Sequence, residues 1–241
     1  MPGLRRSRFQ WFRFRLSTFL GLVAGLCFVL SQQVQIAQRQ MDVASELRSL
    51  GGAVAYDYEF DANSNFIPNA KSPWPDWILN RLGVNALHSI VSVELSGEEI
   101  TEELLQEIGN LDRLVELVLL GMEIDDSTIR HLCGLRRLRY IDLTCNDVQD
   151  SGLAALSEIR QLESINLQHQ SSLITNNGLH HLSNLTKLKE LKFYTSAITD
   201  DGLIHFETLK NLRVLWLCDS NVTDSGIAEL QKYLPDCQIS R

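Results

Sequence analysis

From residue 90 onward the apolar positions of this chain recur in a fixed order. A leucine-type residue opens a unit at Ile90, Leu114, Leu138, Leu162, Leu188 and Leu212, giving unit lengths of 24, 24, 24, 26 and 24 residues. The fourth and sixth residues of each unit are apolar: Val93 and Leu95, Leu117 and Leu119, Ile141 and Leu143, Ile165 and Leu167, Leu191 and Phe193, Leu215 and Leu217. Apolar residues two apart describe a short strand with one face turned inward.

A second signature follows each strand. Its cleanest copy is Ile198-Thr199-Asp200-Asp201-Gly202-Leu203. Related copies run Val222 to Ile227, Val148 to Leu153 and Ile174 to Leu179, and two degenerate ones run Ile124 to Ile129 and Ile100 to Leu105. The first residue plugs the core, and a Thr or Asp then caps a helix by accepting N–H groups left unpaired in its first turn. Apolar residues three apart continue the helix, as in Leu153, Leu156 and Ile159, or Leu179, Leu182 and Leu185.

Six such units over residues 90–234 resemble the leucine-rich-repeat family, whose period is ~20–29 residues. The Ile-Thr-Asp-x-Gly-Leu form is similar to the subtype of F-box adaptor proteins and of many bacterial membrane-anchored repeat proteins. No F-box is evident, and the arginine-led apolar N-terminus suits the bacterial anchored group. The resemblance implies an α/β solenoid with short parallel strands on a concave face and helices on a convex one. The family's asparagine position is filled by Glu98, Met122, Asn146, Gln170, Ser196 and Ser220, so its loop hydrogen bonding must come from mixed side chains.

The N-terminus has another pattern. Arg5, Arg6, Arg8, Arg13 and Arg15 precede an uncharged stretch of 23 residues from Leu16 to Gln38. Residues 16–36 are expected to form a transmembrane helix, since a span needs roughly 20 mostly apolar residues. The arginines form a cytoplasmic tail over residues 1–15 and send the body outside the cytoplasmic membrane, with Trp11, Phe12 and Phe14 at the aromatic belt. A cleaved signal peptide shares this charge order, with Val29-Leu30-Ser31 as a weak cleavage site; the length of the apolar run favours a retained anchor. Residues 37–50 read as a juxtamembrane helix stopped by Gly51-Gly52. Residues 51–89 read as an N-terminal cap: Val54, Tyr56, Tyr58 and Phe60 alternate as a strand, and Trp77, Ile78 and Leu82 pack on the first repeat. Leu234 to Ile239 closes the stack of the repeat domain, residues 90–241.

The remaining 241-residue totals narrow the function. A net charge of -8 argues against nucleic acid. The third, fifth and seventh residues of each unit face outward on the strands. Lys192, Tyr194, Val214 and Trp216 adjoin at one end and have the make-up of a binding hot spot. Val118 and Leu120 form a second apolar group, and Tyr140 lies between. The alternative for Trp216 is that the segment after Leu234 folds over it.

Metal chemistry is not expected. His131, His181 and His205 recur at one position of three units, beside His180, but neighbouring helices stand ~8–10 Å apart. Glu102, Asp126, Asp150, Asp200 and Asp224, with Asn176, line up as a ladder that calcium could use, but helix capping accounts for the same residues. Cys145 and Cys218 are too far apart to pair, Cys218 with Cys237 remains open, and mostly free thiols are expected. Asn184-Leu185-Thr186 and Asn221-Val222-Thr223 match glycosylation acceptors, but both arise from the repeat itself. No phosphate loop, nucleophile elbow, zincin helix or dinucleotide fingerprint occurs, so no enzyme activity, cofactor or small-molecule substrate is expected. The expectation is a membrane-anchored module that recognises a protein partner through its concave face. The alternatives are an envelope scaffold packing through its convex helices, and a ubiquitin-ligase-type adaptor if the body lies in the cytoplasm.

Overall fold

The computed structural model describes residues 7–61, 66–97, 100–168, 174–195 and 197–241, with side chains from Ser17 onward. Arg5, Arg6, Glu98, Gln170 and Ser196 lie outside the described residues, as do the side chains of Arg8, Trp11, Phe12, Arg13, Phe14 and Arg15.

One helix, α1 (Ser7–Ser49), holds both the apolar stretch and the residues expected to form a separate juxtamembrane helix. No Gly or Pro interrupts it between Gly25 and Gly51. The helix is long and apolar enough to cross a membrane, and none of its apolar window is buried. It stops where the Gly51 N–H bonds Arg48 O and the Gly52 N–H bonds Leu47 O. Gly52 has no room for a side chain, because a Cβ there would stand 2.8 Å from Glu94 O and 2.9 Å from Leu95 Cδ1.

Beyond it lies an eight-stranded sheet in strict chain order. Its strands are β1 (Ala53–Tyr56), β2 (Ile90–Ser96), β3 (Glu116–Leu120), β4 (Tyr140–Asp142), β5 (Ser164–Leu167), β6 (Glu190–Tyr194), β7 (Val214–Cys218) and β8 (Gln238–Ser240). Strand β1 is antiparallel to β2, and every later pair is parallel. The inward residues align laterally: Val93 with Leu117, then Ile141, Ile165, Leu191, Leu215 and finally Ile239. The two extra residues of the fourth unit fall between Leu167 and Ile174, so the register passes them without a slip.

Each strand from β2 to β7 is followed by a helical element on one side of the sheet. These are α3 (Glu102–Gly109), the 3-10 segment Thr128–Gly134, α4 (Asp150–Leu156), α5 (Asn176–Leu182), the 3-10 segment Asp200–Phe206 and α6 (Asp224–Tyr233). Their apolar residues and the inward strand residues form one continuous buried core. Thr101, Thr175 and Thr223 cap α3, α5 and α6 by accepting N–H bonds from Leu104, Asn177 and Gly226.

A solenoid exposes a core face at each end and must cover it. At the N-terminal end the cover differs from the expected one. The last turns of α1 lie on the first repeat, with Val43, Ala44 and Leu47 in the core, worth about 1.5–3 kcal/mol for each large side chain. Gln40 is buried with them and accepts the Ile90 N–H at 2.9 Å. Arg39 Nε reaches Glu107 of α3 at 3.0 Å. The strand β1 is shorter than expected, giving way at Asp57 to a 3-10 turn, Asp57–Glu59. Trp77 and Leu82 of the short helix α2 (Asp76–Leu82) do not pack on the first repeat; both are exposed. The edge they were expected to cover is already taken by α1. At the other end β8 lies beside β7 and does not fold over Trp216.

Candidate recognition surface

The side of the sheet away from the helices carries three rows of side chains. Strand pairing places Lys192 beside Trp216, Glu190 beside Val214, and Tyr194 beside Cys218. Trp216 is 37% exposed and Tyr194 39%, whereas the inward Leu215, Leu217 and Phe193 between them are fully buried. Lys192 Nζ stands 4.8 Å from the centre of the Trp216 ring and 2.7 Å from Glu190 Oε1. The Lys192 ammonium thus bridges an aromatic face and a carboxylate, which holds the tryptophan ring against the sheet. Val214 is half-buried. The four residues expected to adjoin do so.

Val118 and Leu120 are half-buried on β3. They are separated from the β6–β7 group by β4 and β5, which is ~14 Å at the usual strand spacing. The intervening band is polar. Asp142 is buried and accepts from the Thr144 N–H at 2.9 Å, the Thr144 hydroxyl at 2.6 Å, the Tyr140 phenol at 3.2 Å and Asn166 Nδ2 at 2.8 Å. Burial, and then Asp142 itself, push the Tyr140 phenol well above its ordinary range, so it remains a proton donor. Asn166 Oδ1 is buried without a hydrogen-bond partner among the described residues. The face therefore has two apolar stations, one on β3 and one on β6–β7, across a pre-organised polar strip.

The acid ladder has a different task from the expected one. Asp126 Oδ1 accepts the Gln149 N–H at 2.7 Å, Asp150 Oδ1 that of Thr175 at 2.8 Å, Asn176 Oδ1 that of Thr199 at 3.1 Å, and Asp200 Oδ1 that of Thr223 at 2.8 Å. The second side-chain atom binds the next unit's hydroxyl, from Ser151, Thr175, Thr199 and Thr223 in turn. These four residues staple the second to fifth units to their successors; the caps are the threonines. The staple explains the glycine of the motif: a Cβ on Gly178 would stand 2.2 Å from Asp150 Oδ1, and one on Gly226 2.1 Å from Asp200 Oδ1. Hydrogen bonds from the Thr223 hydroxyl and amide hold the Asp200 carboxyl below its ordinary value.

The histidines come closer than expected without forming a metal site. His180 and His181 rings are 3.9 Å apart and His205 is 6.1 Å from His180, while His131 reaches back to Glu102 at 2.9 Å. Among the described residues no group of three His, Cys, Asp or Glu side chains could hold a metal ion. All five cysteines are free thiols, and burial pushes Cys237 up to about 11.

One constellation in the cap had no sequence signal. His88 is 7% exposed, with Nδ1 2.7 Å from Asp57 Oδ1 and Nε2 2.8 Å from Ser72 Oγ. Ser72 Oγ in turn accepts the Trp74 N–H at 3.1 Å. This is the connectivity of a hydrolytic triad. Here the imidazole is enclosed, and the serine oxygen is already engaged by a backbone donor. The chain of bonds clasps residues 72–74 to the end of β1.

A family model described as Leucine Rich repeat matches residues 135–157. Among solved structures, an internalin C2 from Listeria monocytogenes is 25% identical over 65% of this chain and 63% of its own, with a TM-score of 0.52. A second internalin of that organism is 20% identical over 61% of this chain and 38% of its own, with a TM-score of 0.47. The chain thus spans less than two thirds of either neighbour. No curated protein matches it in sequence.

Proposed function

We propose that this chain, whose body has the fold of a leucine-rich-repeat solenoid, recognises a protein partner through the open face of its sheet while α1 holds it at a membrane. The observation that carries this reading is the Trp216–Lys192–Tyr194 group. An aromatic pair left partly exposed beside a fixed cation, on a rigid eight-stranded frame, is the composition of a binding hot spot. Glu94, Glu116 and Glu190 share that face with the single base Lys192 on these rows, which favours a partner with basic character. The arginine excess before the apolar stretch, from Arg5 to Arg15, supports a cytoplasmic N-terminus and an external body.

Packing of copies through the helical side, the scaffold reading, is less favoured. The groove between the last two helical elements is lined by Asp200, Asp201, Glu207 and Glu229 around an exposed Ile204, so two copies would bring like charges together.

The test is a membrane-extract pull-down with the full chain in nanodiscs, comparing wild type with a Tyr194→Ala, Trp216→Ala double variant of unchanged circular dichroism. Capture by wild type and loss in the variant would bear the proposal out. Equal capture by both would refute the Trp216 station. Protease protection of the body on the outside would exclude the cytoplasmic adaptor reading.

A further inference from the structure

The N-terminal cap contains an exposed aromatic surface that the fold does not use. Trp74 and Leu82 are exposed, and Trp77, at 69%, is more exposed than any other tryptophan among the described residues. Phe66 and Ile67, earlier in the same excursion from the sheet, are exposed as well. Such a group on a small cap is unusual unless something covers it.

The topology says where this surface lies. Helix α1 runs from its apolar stretch down to Ser49, and β1 turns back along it. At the end of β1 the Asp57 N–H bonds Ser89 O, and Ile90, one residue on, is tied to Gln40. The excursion 57–89 therefore leaves and rejoins the sheet at the end of the cap nearest the apolar stretch. Its last turn, residues 84–86, packs against α1: Asn85, Ala86 and Leu87 line one pocket with Gln33, Ile36 and Ala37. Gln33 is three residues past Leu30, about 4.5 Å along the helix. Helix α2 adjoins that turn through Gly83.

The backbone at Trp74 is also held in place. Pro73 and Pro75 flank Trp74, and the Asp57–His88–Ser72 clasp bonds the Trp74 amide. An aromatic side chain fixed in an exposed position loses little freedom on entering a new environment. Tryptophan, with an apolar body and one N–H, favours the water–hydrocarbon boundary of a bilayer.

We propose that the Trp74–Leu82 segment is a membrane-contact element, seating Trp74, Trp77 and Leu82 in the interfacial layer of the same bilayer that α1 crosses. The inference rests on α1 being a membrane span. Contact at a second point would fix the rotation of the body about α1, which a single helix leaves free.

The full chain would be reconstituted in phosphatidylcholine–phosphatidylglycerol vesicles as two single-tryptophan forms. One retains Trp77 (Trp11→Phe, Trp74→Phe, Trp216→Phe). The other retains Trp216 (Trp11→Phe, Trp74→Phe, Trp77→Phe) as a reference on the open face of the sheet. Lipids brominated near the head-group end of the acyl chains report contact, and flotation with the vesicles reports insertion. The proposal expects Trp77 emission to be blue-shifted and strongly quenched by the bromines, with Trp216 emission unaffected. Flotation with Trp77 quenched no more than Trp216 overturns the contact while leaving the span intact. Shielding of Trp77 from aqueous iodide without bromine quenching also overturns it, in favour of a protein cover. Failure to float overturns the span and the contact together.

Discussion

Gly178→Ala tests the staple between repeats with a change of one methyl group. The new Cβ would meet Asp150 Oδ1 at 2.2 Å and Cγ at 2.8 Å, so the carboxylate must swing away by more than 1 Å to reach an ordinary contact, about 3.4 Å or more. That movement breaks its bonds to the Thr175 amide at 2.8 Å and hydroxyl at 2.6 Å. Two partly buried bonds to a carboxylate are worth about 1–1.5 kcal/mol each after allowing for solvent. Alanine regains about 1 kcal/mol over glycine inside a helix. The expected net loss is therefore about 1–2 kcal/mol, read by urea denaturation of the full chain in detergent with far-UV circular dichroism. The discriminating arm is the same substitution in an Asp150→Ala background. With the carboxylate gone, the nearest remaining atom is Asp150 Cα at 3.1 Å, and Gly178→Ala should become neutral or slightly stabilising. An equal cost in both backgrounds would refute the staple as the reason for the glycine.

Other consequences can be measured in the same way. Asn146 accepts the Met122 and Ile124 N–H groups at 3.0 and 2.9 Å and donates to Leu119 O at 2.7 Å, so Asn146→Ala should cost about 3 kcal/mol or more by urea denaturation; Ser220→Ala, at the same position of the last unit and with no partner for its buried hydroxyl among the described residues, should be nearly neutral. Hydrogen bonds from Thr128 and Ser127 lower Asp125 to about 2, below its unfolded value; its contribution is present above about pH 4 and lost as pH falls towards 2, so acid titration of Asp125→Asn should show a shallower decline over that window. His88→Ala should unfasten residues 72–74, read as faster proteolysis between Asp61 and Asp76, while the wild-type chain should leave Ser72 unlabelled by a fluorophosphonate probe; labelling would give the clasp a chemical role.

Periodicity made the body legible and left the cap obscure. Inward residues such as Leu117, Ile141 and Ile165 recur at a fixed interval because the sheet is in register, so their spacing already contains the strand pairing. The staple was also within reach. Asp126 precedes Gly152 by 26 residues, as Asn176 precedes Gly202 and Asp200 precedes Gly226, and that joint recurrence is the trace of a contact between units. Helix capping explained each acid locally and hid the longer relation. The cap happens once, so no repetition exposes it. Val43, Ala44 and Leu47 lie in a polar stretch that reads equally well as a juxtamembrane helix, and nothing local says which surface they cover. Trp77 and Leu82 look like core residues by type, and only the prior occupation of that edge by α1 leaves them outside. Of the open face, the Trp216 group was readable because β6 and β7 pair in register. Its separation from Val118 follows only from counting the strands between them.

The unbroken path of α1 has a mechanical meaning. With its apolar stretch in a bilayer, the same rod that spans the membrane is built into the first repeat, with no glycine or proline between Gly25 and Gly51 to act as a joint. From Leu30 to Ser49 that rod rises roughly 28 Å. In that setting the repeat body would be carried on a stiff mast and not on a tether, its height above the lipid set before any partner arrives. Partners anchored in the same membrane would meet it at one altitude. The search for it would be a two-dimensional one, decided by lateral diffusion.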